Sequence, residues 1–345
     1  MSRRRWLLTA LSFAAAIGAS LYIVVATWPA GGAAALPWRA HAVALAAALL
    51  EAGARGLKLR YSARALGVPL SLGAALRTCL GGDFAAAITP ARSGSEPARF
   101  LVLSEAGVAA APALLLLFAE LVLEMLSLAL VTAALAFLFR DAGGAIGGLV
   151  GLVGGYATFV VGAGVSGLVL ARRRSGGPPP AWARRVGLDA PRWRAVQRAL
   201  RQLRAGVGAV READGGAMFL AYVASVAHVA LRLVVLPALV LLADPTVRVA
   251  PLVAWPLALF YGSVVAPAPG GGGVVEVAFR ATLGDTIPAS LFAAALVWWR
   301  FYTFYLYVLL GALAAGRTVV RALKGESGTG GGTTGVGARE RQQAA

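Results

Sequence analysis

Residues 88–99 read I-T-P-A-R-S-G-S-E-P-A-R, and residues 266–280 read A-P-A-P-G-G-G-G-V-V-E-V-A-F-R. Each stretch interrupts a strongly apolar block, and each runs proline, glycine, glutamate, arginine at nearly the same spacing. A helix facing lipid does not accept such a composition, because its broken backbone and charges would be left without partners. Interrupted apolar segments at matching positions of two halves point to a transporter-type site built on broken helices.

The chain around them is apolar. Of 345 residues, 59% are hydrophobic and 14% charged, and the mean hydropathy is +0.75. A soluble domain carries about a quarter charged residues. The apolar runs are continuous and too long for barrel strands, so a helical membrane protein is expected. The single cysteine, Cys79, excludes an internal disulfide and a cysteine metal site. His41 and His228 lie far apart, so neither a metal site nor a cofactor is expected.

Read in order, residues 6–28 form an uncleaved first helix, since the run is too long for a signal peptide. Residues 38–57 form a second span in which Glu51 and Arg55 can pair at four-residue spacing; Arg55, Lys58, Arg60 and Arg64 close it. Residues 66–107 are a mixed zone read as re-entrant or interfacial. Residues 108–139 make a long helix bearing Glu120 and Glu124, and 143–171 a glycine-rich one. Residues 172–216 are a basic insert. Within it, Trp193, Val196, Leu200 and Leu203 recur at helical spacing among arginines, as in a helix on an anionic membrane surface or a solvated linker. No nucleic-acid recognition module accompanies this basicity. Residues 217–242 are a span with His228 and Arg232; 249–266 re-enter; 288–316 are the last span, with Arg300 inside. The glycine- and threonine-rich tail, 325–345, is expected to be disordered.

Net charge is +17, and 26 of the 32 Lys and Arg fall on one side of this layout. That side is the cytoplasm by the positive-inside rule, and it holds both termini. The expected fold is an all-α integral membrane protein: a polytopic helical bundle of about six spans, with two re-entrant hairpins in inverted-topology repeats. Its one transmembrane domain, 1–324, comprises a first half (1–171), the basic insert and a second half (217–324).

The motifs themselves resemble a known family. T-P-A-R-S-G-S-E-P-A-R-F is similar to the T-P-x-R-x-G-E-x-x-R signature of the lysylphosphatidylglycerol synthase transmembrane region, a flippase-like family. P-A-P-G-G-G-G-V-V-E is similar to its P-x-P-G-G-x-G-x-x-E signature. Glu120 and Glu124 match its E-R-x-x-D pattern, with Leu121 in place of the arginine and glutamate in place of the aspartate; Ser95 stands where the family often has a second glycine. The resemblance spans about residues 5–320 and includes no soluble aminoacyl-transferase domain. It implies a stand-alone membrane region in a bacterial inner membrane that moves lipids between leaflets.

The candidate substrate-binding residues are Arg92, Gly94, Glu96, Arg99, Gly270, Gly271, Glu276 and Arg280. The arginines suit phosphate, the glycines bring backbone N–H groups close, and the glutamates hold arginines or bind an amine. Candidate charge-coupling residues are Glu120, Glu124, His228, Arg232 and Arg300. Structural roles compete at each: Glu96 as a cap or a partner of Arg99, Glu276 as a partner of Arg280, His228 as buried packing, and the glycines as a hinge. Trp298, Trp299, Tyr302, Tyr305 and Tyr307 read as interfacial anchors or core. The expected function is lipid translocation without covalent chemistry, with anionic phospholipid headgroups as partners. The rivals are a membrane-embedded transferase on a lipid substrate, which lacks a D-x-D pair or His/Cys cluster here, and a non-transporting scaffold.

Overall fold

A computed structural model of the chain describes residues 21–29, 34–89, 92–141, 153–160, 212–262 and 271–323, with isolated positions elsewhere. Among the described residues the structure is helical, with no strand, as expected of a helical membrane protein. The expected first helix (6–28), the glycine-rich helix (143–171), the amphipathic insert and the tail lie wholly or largely outside the described residues, as do Pro90 and Gly270.

Helix α1, Trp38–Ala65, begins after Pro37 and runs 28 residues, about 42 Å. It stops where Gly67 takes φ 68°, with the Val68 N–H reaching the Ala63 carbonyl and the Gly67 N–H the Arg64 carbonyl. The expected second span ended near residue 57. The helix instead continues past it, so Lys58 belongs to the helix interior and not to a basic loop. The next helices are α2 (Leu72–Ile88) and α3 (Ser95–Glu105), then α4 (Ala110–Leu138), α5 (Gly215–Leu241), α6 (Val249–Gly262), α7 (Val274–Leu283) and α8 (Ala289–Arg300). A π turn, Phe301–Tyr305, joins α8 to α9 (Leu306–Leu323).

Three of these are long and apolar enough to cross a membrane: α4, α5 and the α8–α9 run over Ala289–Val319. Helices α2, α3, α6 and α7 have 17, 11, 14 and 10 residues. At about 1.5 Å per residue they are shorter than a hydrocarbon core of about 30 Å. They form two hairpins, α2–α3 and α6–α7, whose arms pack on each other.

The most extensive helix contact is α1 against α5. The pair is antiparallel. The Asp214 N–H bonds the Ala65 carbonyl at one end, Arg232 meets Glu51 in the middle, and Ala40 and Ala44 share a core with Leu239 and Val240 at the other end. Buried alanines along α1 let the backbones approach closely. One core joins the N-terminal part of α1 to α5, α7 and α8; a second joins Leu59 and Ala63 of α1 to α2, α3 and α4. Glu51, Arg55 and Lys58 of α1 fall where these two apolar cores meet.

Candidate functional site

Glu51, Arg55 and Lys58 are spaced four and three residues apart, which places them on one stripe of α1. Each finds its partner on another helix. Arg232 of α5 meets Glu51 at 2.7 Å. Arg55 grips Asp83 of α2 through two nitrogens, at 2.6 and 3.1 Å. Lys58, 1% exposed, lies between Glu124 at 2.8 Å and Glu120 at 3.1 Å, both from one face of α4. Glu120 is also paired with Arg99 of α3, which bonds Glu96 at 3.1 Å. His228 of α5 sits 3.8 Å from Glu124 and bonds the Ser225 carbonyl through its other ring nitrogen. The expected pair of Glu51 with Arg55 is therefore replaced by two contacts between helices.

The turn of the first hairpin explains its sequence. The Thr89 hydroxyl donates to the Ala85 carbonyl at the end of α2 and accepts the Gly94 N–H at the start of α3. A Cβ on Gly94 would lie 2.7 Å from the Thr89 methyl, so glycine lets the two ends meet. Arg92 has φ 56°, and among the described residues it is the one non-glycine residue with positive φ. Holding an arginine there costs about 1–2 kcal/mol, and such strain concentrates at functional sites.

The second hairpin closes in a related way. Gly271 and Gly273 have φ 69° and 78°. Glu276 turns back to accept the Gly273 N–H at 2.8 Å and uses its other oxygen for Arg300 of α8, at 2.9 Å. That geometry overturns the expected pairing of Glu276 with Arg280. A carboxylate turned back onto its own N-cap points away from the next turn, where Arg280 stands exposed over the Phe292 ring.

These elements enclose a cavity of about 120 Å³. Its charged wall is Asp83, Arg92, Glu124, Arg232 and Arg300; Phe260, Trp299, Phe304 and Tyr307 supply aromatic surface. Arg300 lies over Phe304 and Arg232 over Phe260, so the guanidinium faces are covered by rings. The π turn at Phe301–Tyr305 falls in the same wall, where such irregularities recur at functional sites.

A family model described as the lysylphosphatidylglycerol synthase TM region matches residues 7–311. The chain belongs to that family. No curated protein matches the chain. Membership connects this membrane protein with membrane lipids.

Of the residues singled out in this lysylphosphatidylglycerol synthase TM region, Arg92, Glu124, Arg232 and Arg300 line the cavity, and Glu276 stands directly behind Arg300. Arg99, Glu120 and His228 lie one contact further back, and Glu96 is at the outer end of the chain of pairs, 61% exposed. Gly94 and Gly271 shape the turns, and Arg280 is not in the wall. Sequence reasoning missed Asp83 and Lys58 as members of the site. Asp83 is the lone acid of α2, and Lys58 is seven residues from Glu51; those were the available signals. Trp299 and Tyr307, read as anchors or core, are buried in the cavity wall, while Trp298 and Tyr305 remain partly exposed.

Proposed function

We propose that this protein moves a lipid between membrane leaflets, with the charged cavity as the place where the headgroup crosses while the acyl chains stay in the bilayer. The observation that carries the reading is that residues of both hairpins meet at one polar cavity among long apolar helices: Arg92 from the first, Val275 from the second. Fixed charges there, paired except for Arg92, supply a polar path among apolar helices. The chemistry is non-covalent, and the partners are membrane lipids with anionic headgroups.

We read the two hairpins as re-entrant segments of inverted repeats. In support, α1 and α5 each directly precede one hairpin and cross antiparallel, as equivalent helices about an in-plane axis would. The hairpins also match locally. Arg92 and Gly271, each two residues before the helix cap, both have positive φ, and Gly94 and Gly273 are the caps. The charge distribution supports both termini being cytoplasmic, and family membership is the support for reading the membrane as a bacterial inner membrane.

The test is dithionite quenching of fluorescent phospholipids in proteoliposomes. Without flipping, the inner-leaflet probe stays protected. Wild type should expose it, and Glu276→Gln, which disconnects Arg300, should slow exposure at least about tenfold while keeping its fold. Protection unchanged by wild type across several headgroups, with and without a pH gradient, overturns the reading and favours the scaffold. Turnover of a labelled donor by the pure protein would instead make it a transferase.

A further inference from the structure

Among the described residues, the pairing pattern around the cavity leaves one charge over. Glu51 is matched by Arg232, Asp83 by Arg55, and Glu276 by Arg300. Glu120 and Glu124 are matched by Lys58 and Arg99. Glu96 also touches Arg99, but at 61% exposure it is a hydrated carboxylate at the outer end and needs no buried counter-ion. Arg92 lies in the cavity wall and has no ion pair or hydrogen bond to its side chain among the described residues. A lysine could shed its proton to escape this, but a guanidinium cannot. The excess is a single permanent positive charge, held in place by a strained backbone.

A second observation is independent of that count. Trp299 Nε1 and Arg232 Nε are buried and have no hydrogen-bond partner among the described residues, and both side chains belong to the cavity wall. Buried donors of this kind ordinarily have an acceptor. The first hairpin, α5 and α8 thus each give the cavity wall a side chain that carries an N–H donor.

Resting on the lipid reading above, we infer that the cavity binds one singly charged phosphodiester group. Its two non-bridging oxygens suit several donors, and its one negative charge offsets Arg92 and no more. Asp83 and Glu124 share the wall, so a second negative charge on the ligand would meet repulsion and leave the cluster imbalanced in the opposite sense. The cavity admits a phosphate group but not a whole lipid. Glycerol and acyl chains would lie outside it.

Binding tests this separately from transport. Purified full-length protein in detergent is titrated with dihexanoyl-phosphatidylglycerol (one phosphodiester, one negative charge), dihexanoylglycerol (no phosphate) and dihexanoyl-phosphatidic acid (a phosphomonoester of higher charge), with binding followed by calorimetry. Wild type should prefer the phosphatidylglycerol at least about tenfold over dihexanoylglycerol, and phosphatidic acid should not surpass it. Arg92→Gly, which relieves the positive φ, should bring the preference down to about twofold or less; Arg92→Lys should keep most of it. Equal binding of the phosphodiester lipid and the phosphate-free lipid by wild type overturns the inference, as does tighter binding of phosphatidic acid or a preference that survives Arg92→Gly. Water-soluble glycerophosphoglycerol forms a further arm. Binding as tight as the lipid's supports the phosphodiester site but assigns it to a free ester, whereas weaker binding supports a lipid headgroup. Failed flipping with intact selectivity would sink the transport reading alone.

Discussion

Replacing Lys58 by methionine keeps the side-chain length and removes the cation at the centre of the site. Two carboxylates then lose a partner at 2.8 and 3.1 Å. Glu120 keeps Arg99, so Glu124 is the one stranded; its other neighbour is His228, at 3.8 Å. Removing one member of a buried ion pair costs about 3–5 kcal/mol, because the remaining charge is uncompensated. There is a ceiling on the loss. A stranded carboxylate can take up a proton, which for an unperturbed glutamate costs about 3.7 kcal/mol at pH 7 and about 1 kcal/mol at pH 5. Lys58→Met should therefore cost about 3–4 kcal/mol at pH 7 and clearly less at pH 5. Cys79 provides the readout: it is the chain's only cysteine, 2% exposed, in the same small core as Leu59. Its reaction with a fluorescent maleimide along an SDS titration follows unfolding. The double variant Lys58→Met with Glu124→Gln removes one charge of each sign and should recover at least about 1 kcal/mol relative to Lys58→Met. A loss under about 1 kcal/mol at pH 7, a loss independent of pH, or a double variant no better than the single would refute the reasoning.

Two further substitutions test the scaffold in the same assay. A Cβ on Gly311 of α9 would lie 2.1 Å from the Leu80 carbonyl oxygen of α2, backbone against backbone, so Gly311→Ala should cost about 3 kcal/mol or more. Gly155→Ala, with nothing within 4 Å, is the neutral control. Thr89→Val strands the Gly94 N–H and should cost about 1–3 kcal/mol, whereas Thr89→Ser, which keeps the hydroxyl clasp across the first hairpin, should stay near wild type.

Much of this protein follows from its sequence alone, for local reasons. Apolar runs longer than a bilayer is thick require helices, because lipid offers backbone groups no partner. Prolines and glycines require breaks, so helix interruptions were legible at 88–99 and 266–280, and the motifs there identified the family. Intramembrane charges are costly enough to mark Arg92, Glu124, Arg232 and Arg300 as candidates before any coordinate. Which charge meets which was not legible. Glu51 had Arg55 within reach on its own helix, and Glu276 had Arg280, yet both carboxylates chose arginines on other helices. Local spacing says only what is possible within one helix. The choice depends on where the antiparallel crossing of α1 and α5 sets Arg232, and on how α8 presents Arg300 to a carboxylate already turned toward its own N-cap. Lys58 misled for the same reason: a basic residue after an apolar run reads as a membrane edge until α4 brings two carboxylates to it. That Arg92, of the described charges in the cavity wall, keeps no ion-pair partner is a property of the assembled network, in which Asp83, Glu124, Arg232 and Arg300 are already matched.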